Sequence, residues 1–155
     1  MRRFVCLCLT AALVGCGGAS DQASTSADSA AMAPVAPAGI ALADVAGTWN
    51  VEVRPEASDS VLLTYQLTAT ADQNGWSIKL PDRAELIPVH VGTVQGDSIV
   101  VHAGPYSSAL RKGVTVSTEG VSRLQNGMLV GTTTARYSAG PDSVVKLRTQ
   151  GTRVQ

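Results

Sequence analysis

From Thr48 to the carboxyl terminus, apolar and polar residues take turns, and that pattern commits the chain to sheet. Trp49, Val51 and Val53 alternate with Asn50, Glu52 and Arg54. Val61, Leu63, Tyr65, Leu67 and Ala69 alternate with Leu62, Thr64, Gln66, Thr68 and Thr70. A period of two places one set on each face of a strand, so one face is buried and the other wetted. Glycine, asparagine and aspartate punctuate the runs at short intervals, and no stretch carries a convincing long helical pattern.

The punctuation predicts how the strands join. After Asp72-Gln73-Asn74-Gly75 the apolar phase flips to Trp76, Ile78 and Leu80. An even-numbered hairpin loop produces that flip. Residues 61–71 and 76–80 are therefore expected to pair, with Ala69 near Ile78 around a loop centred on Gln73-Asn74. Ile87, Val89 and Val91 lead to Gln95-Gly96, and Ile99, Val101 and Ala103 follow in the same phase. That predicts an odd loop of about three residues with Gly96 left-handed. Residues 104–113 form the longest irregular stretch. Asn126-Gly127, between residues 114–125 and 128–137, is the strongest hairpin signal. Gly140-Pro141-Asp142 turns the chain into a last strand through Val145, Leu147 and Thr149. The fold class is all-β: about eight short antiparallel strands in sequence order, a meandering barrel, with a β-sandwich as the alternative. Closure removes the edges on which strands aggregate.

Gly47-Thr48-Trp49 opens the first strand, after a short turn, and Arg153 lies just before the carboxyl terminus. Together they resemble the lipocalin or calycin pattern of Gly-x-Trp on the first strand and an arginine late in the barrel. The resemblance implies that Arg153 packs over Trp49 and closes one end, a contact of roughly 0.5–2 kcal/mol. Arg153 shares phase with the inward series Val145, Leu147 and Thr149, whereas Arg148 shares the outward one.

The amino terminus carries an address. Arg2 and Arg3 precede an apolar run over residues 4–14, and Leu13-Val14-Gly15-Cys16 follows. A basic start, a short apolar run and small residues before the cut make a secretory signal. Residues 4–15, twelve at about 1.5 Å each, fall short of the ~30 Å hydrocarbon layer. Cysteine after Leu-Val-Gly resembles the lipobox of bacterial lipoproteins. That resemblance implies cleavage after residue 15, a diacylglycerol thioether on Cys16 and a membrane as partner. Gly17, by family analogy, points to the outer membrane if the host is Gram-negative. Residues 16–43 are then the lipidated cysteine and a disordered tether rich in Ala, Ser and Pro, and residues 44–155 the barrel domain. As a coil, such a tether spans roughly 30 Å.

Processing also sets the charge and the redox chemistry. Cys6 and Cys8 leave with the signal, so no intrachain disulfide and no thiol nucleophile are expected. Removing Arg2 and Arg3 leaves 10 basic residues against 12 acidic ones. That balance and the lack of a basic stripe exclude nucleic acid as a partner.

Catalytic signals are weak. Gly96-Asp97-Ser98 resembles the Gly-Asp-Ser block of one esterase family, but no Asp stands three residues before either His90 or His102. A turn accounts for it. His90 and His102 are expected on one outward face, opposite or diagonal to each other, with no carboxylate at matching phase to complete a metal site. No catalytic residue, metal or cofactor is expected. Two non-enzymatic readings follow. In one the barrel is filled and serves as a binding or structural module for an envelope protein, through its outer face or the 104–113 loop with Tyr106 and Leu110. In the other it carries a small apolar ligand in a cavity lined or floored by Trp49, Tyr65 and Trp76. The inward residues Ala69, Ala71, Ala103 and Gly131 are small, yet eight strands make a barrel just wide enough for side chains to fill. The filled barrel is preferred, and an envelope hydrolase ranks last.

Overall fold

The computed structural model describes residues 39–155. The lipobox, Cys16 and the tether up to residue 38 lie outside the described residues. Eight antiparallel strands follow one another round a closed meander barrel: β1 (Gly47–Pro55), β2 (Leu63–Ala69), β3 (Trp76–Lys79), β4 (Leu86–Gln95), β5 (Ser98–Ser107), β6 (Thr115–Gln125), β7 (Met128–Tyr137) and β8 (Val144–Arg153). Pairing of β1 with β8 closes the wall, with Trp49 opposite Arg153 and Val53 opposite Thr149. The all-β meander barrel read from the alternation is therefore what forms, and the sandwich is not.

One short helix, α1 (Leu42–Val45), precedes the barrel. The Ala41 N–H donates to Asp44 Oδ2 at 2.8 Å and pins its first turn. The Ile40 N–H donates to the Gly96 carbonyl at 2.8 Å, and Ile40 and Leu42 pack against the core. Ordered structure thus includes residues 40–43, which composition assigns to the tether. Their few apolar side chains have a barrel end to cover, which a window of local composition does not show.

The inward residues form two clusters. Val45, Trp49, Val51, Leu67, Ala69, Trp76, Ile78 and Ile99 belong to the larger, at the end where α1 sits. Val53, Val116, Ala135, Tyr137 and Leu147 form the other, towards the opposite end. Burying each large aliphatic side chain contributes roughly 1.5–3 kcal/mol.

Three local expectations need correction. Ile78 pairs with Leu67, not Ala69. The loop is even, as the phase flip requires, but its span is residues 70–75, because the Trp76 indole folds into it. Trp76 Nε1 donates to the Thr70 carbonyl at 3.1 Å and the Asp72 carbonyl at 2.9 Å. The β4–β5 loop has two residues, since Gln95 pairs with Ser98. Gly96 is left-handed there, at φ 58°. The odd residue that keeps the phase sits in a bulge between Val91 and Thr93. Finally, β5 runs on to Ser107 through a register shift after Ala103, so the irregular stretch shortens to residues 108–114. At the β6–β7 turn, Asn126 (φ 50°) and Gly127 (φ 76°) both take positive φ between Gln125 and Met128, the two-residue hairpin that Asn-Gly encodes.

Candidate functional site

The barrel has a plugged end and a loop-covered end. At the plugged end Trp49 is wholly buried, and its Nε1 donates to the Val45 carbonyl at 2.8 Å. The Arg153 guanidinium lies over the indole, 4.4 Å from Cζ to the ring centroid. The same guanidinium donates to the Ala46 carbonyl and, at 2.8 Å, to the Asp44 carbonyl. Gly47 makes room for it. A Cβ there would come within 2.6 Å of Arg153 Nη1, and its φ of 137° is one that side-chain-bearing residues rarely adopt. Gly47, Trp49 and Arg153 thus meet in one construction that ties α1 across the barrel end.

Between the ends lies a cavity of about 100 Å³. Tyr65, Trp76, Leu67, Tyr106 and Leu129 are on its wall; Trp49 is not. Of the three aromatic residues assigned to a cavity by sequence, Tyr65 and Trp76 line it, while Trp49 is used up in sealing the end. Ala69 and Ala103 are buried, whereas Ala71 is exposed in the β2–β3 loop. The volume is below the ~300–1,000 Å³ of drug-sized ligand pockets and near the ~150 Å³ of an apolar cavity that accepts benzene. Side chains fill most of the interior.

Two phenols face this cavity. Burial, reinforced by neighbouring Tyr106, raises the Tyr65 pKa well above the ordinary value of 10.0. Tyr106 is also raised, mainly by burial; Tyr137 adds to the shift, while a hydrogen bond with Thr118 and the charge of Arg83 oppose it. Both are neutral hydroxyls at physiological pH. Tyr106 is therefore a wall residue and not the surface contact expected of the 104–113 loop.

Residues 108–114 cover the mouth. Ser108, Ala109 and Leu110 line the cavity from above, and Leu110 keeps part of its side chain in water. Arginines strap the segment down. Arg83 donates to the carbonyls of Ser107 (2.7 Å) and Ser108 (3.2 Å). Arg111 donates to the carbonyls of Pro141 (2.7 Å) and Asp142 (3.2 Å), and its Cζ lies 3.9 Å from the Tyr137 ring centroid. Around this end Val61, Leu62, Leu86 and Val144 are exposed.

His90 and His102 stand directly opposite each other on the outer face. Contrary to the sequence expectation, a carboxylate does share their row: Glu119 pairs with His102, with its Oε2 3.9 Å from His102 Nδ1. The bulges in β4 and β5 set that register, and phase counting along one strand does not reveal it. Among the described residues no group of three or more His, Cys, Asp or Glu side chains is placed to hold a metal ion. Gly96 and Asp97 form the β4–β5 turn, and the Ser98 hydroxyl donates to Asp97 Oδ1 at 2.8 Å.

No family model matches this chain, and neither the curated proteins nor the solved structures provide a match.

Proposed function

We propose that this chain is a lipid-anchored cell-envelope protein whose lipocalin-like barrel is a binding module that performs no chemistry of its own. The anchor reading rests on Leu13-Val14-Gly15-Cys16 after a basic, apolar start. The barrel reading rests on one observation: the interior is packed down to about 100 Å³ under a strapped loop. A barrel so filled presents its outer wall and its apolar rim to an envelope partner. Two acyl chains hold where one exchanges, at about 0.8 kcal/mol per buried methylene. The site of action is then the membrane surface, and the outer membrane if the host is Gram-negative. Labelled palmitate should enter the wild-type chain in its own host and not the Cys16→Ser variant. Equal labelling of both removes the anchor reading.

The cavity favours one second reading, a carrier for the end of a small apolar molecule. Tyr65 and Trp76 would contact it, and Leu110 would lie over it. Native mass spectrometry of the chain purified from its host separates the two. A bare protein mass supports the filled module, and a co-purifying apolar adduct supports the carrier.

A further inference from the structure

The outer wall holds a second concavity, used by neither the interior nor the anchor. It is lined from β1, β5, β6, β7 and β8 and encloses about 340 Å³, within the ~300–1,000 Å³ of small-ligand sites. Two cross-strand rows build it. In the first, Arg54, Arg148, Thr132 and Val121 are successive partners. In the second, Gln150, Val130, Arg123 and Ser98 are. Three guanidinium groups therefore line one groove, and no carboxylate lines it among the described residues.

Arg54 and Arg148 stand directly opposite each other, a placement in which like charges repel. Each arginine is braced by a carboxylate that lies outside the groove. Arg54 donates to Glu52 Oε2 and, at 3.2 Å, to Gln150 Oε1. Arg148 donates to Asp59 Oδ1 and to the Ser58 carbonyl, both at 2.9 Å. Arg123 Nη1 lies 3.8 Å from Asp97 Oδ2. These contacts occupy Arg148 Nε and Nη2 and leave its Nη1 without a protein acceptor among the described residues. Arg54 Nε, by contrast, is buried and has no hydrogen-bond partner among the described residues.

We propose that this groove binds a phosphate ester. A guanidinium fork matches phosphate oxygens bidentately, and three guanidinium groups along one groove suit a doubly charged tetrahedral group better than a single carboxylate. Ser98, Thr132, Gln125 and Gln150 add neutral donors and acceptors for a hydroxylated carrier of the phosphate. That chemistry is shared by a soluble sugar phosphate and by a phospholipid headgroup.

The test is nuclear magnetic resonance of the arginine Nε–Hε groups in the labelled full chain. Glucose 6-phosphate is titrated against glucose and against chloride at matched ionic strength. The chain is also placed in phosphatidylcholine vesicles with and without phosphatidylglycerol. Saturable shifts of Arg54, Arg123 and Arg148 with glucose 6-phosphate support the site with a soluble ligand. Shifts only with phosphatidylglycerol support it with a headgroup. Arg123 is exposed, so R123Q should fold as the wild type does, with an unchanged melting midpoint, and should weaken binding about tenfold through loss of one charge-assisted contact. No saturable shift with either probe, shifts that glucose or chloride reproduces, or undiminished binding by R123Q overturns the proposal.

Discussion

Arg153 and Trp49 face each other across the seam that closes the barrel, and the guanidinium lies over the indole at 4.4 Å while holding the carbonyls of Ala46 and Asp44. The pair joins three otherwise separate things: the last strand, the first strand and the helix that covers the end. Trp49 fills the interior below, and Arg153 supplies the charge that its π-face and two helix-end carbonyls attract.

Trp49→Ala should therefore lower stability by about 3–5 kcal/mol, the usual cost of removing a large buried aromatic side chain. Arg153→Ala should cost less, about 1–3 kcal/mol, because it removes one cation–π contact and two hydrogen bonds at a partly wetted end. Arg153→Lys should recover little of that, since an ammonium cannot reproduce the planar fork that reaches both carbonyls. Urea unfolding midpoints of the three variants provide the check, and a lysine variant as stable as wild type contradicts the fork geometry.

Part of this construction is legible in the sequence. Alternation fixes which face of each strand points inward, so the period of two alone identifies Trp49, Val51, Leu67, Ile78 and Leu147 as core. Asn126-Gly127 declares its hairpin because both positions need positive φ. What stays hidden is register wherever a side chain or bulge resets it. The Trp76 indole captures two loop carbonyls and moves Ile78 from Ala69 to Leu67. The extra residue at the β4 bulge lets a two-residue turn mimic a three-residue one. The arginine groove is hidden more deeply. Its two rows join residues 54, 148, 132 and 121, and then 150, 130, 123 and 98; the pairings of β5 to β8 align most of them, and the closing of β1 on β8 adds Arg54.

Alkaline pH should weaken the fold. Tyr65 and Tyr106 keep their protons in the folded chain above the pH at which the unfolded chain loses them. Below about pH 9 both phenols are neutral in either state, so their contribution is constant. Above the ordinary phenol value of 10.0 the unfolded chain ionises first, binds fewer protons and gains stability relative to the fold. Stability should fall by up to about 1.4 kcal/mol per pH unit for each phenol in that range. Tyr65→Phe should flatten the slope. Urea midpoints measured from pH 8 to 11 by circular dichroism test this, and an identical slope in the variant refutes it.

The strapped loop should open independently of the barrel. Arg111→Ala removes two hydrogen bonds to residues 141 and 142 and the stacking on Tyr137, and Arg83→Ala removes two more from the other side. Each variant should cost about 1 kcal/mol in global stability. Amide exchange at Ser108, Leu110 and Arg111 should accelerate well beyond that of β6 and β7, because local opening no longer has to break the straps. Uniform acceleration across the barrel would instead show that the loop and wall open together.

Trp76 should matter through its nitrogen as much as through its ring. Trp76→Phe keeps an aromatic side chain against the cavity but leaves the carbonyls of Thr70 and Asp72 without the indole donor. The Thr70 hydroxyl lies 2.5 Å from the Asn74 carbonyl and 3.0 Å from the Asp72 carbonyl, so its single proton supports the same loop from the other side. The residual loss should be about 1–3 kcal/mol in unfolding free energy, and faster amide exchange should be confined to the 70–75 loop. Thr70→Val in the Trp76→Phe background removes the remaining support, and the two losses should then exceed the sum of the single changes. Strict additivity would show that the hydroxyl and the indole stabilise the loop separately.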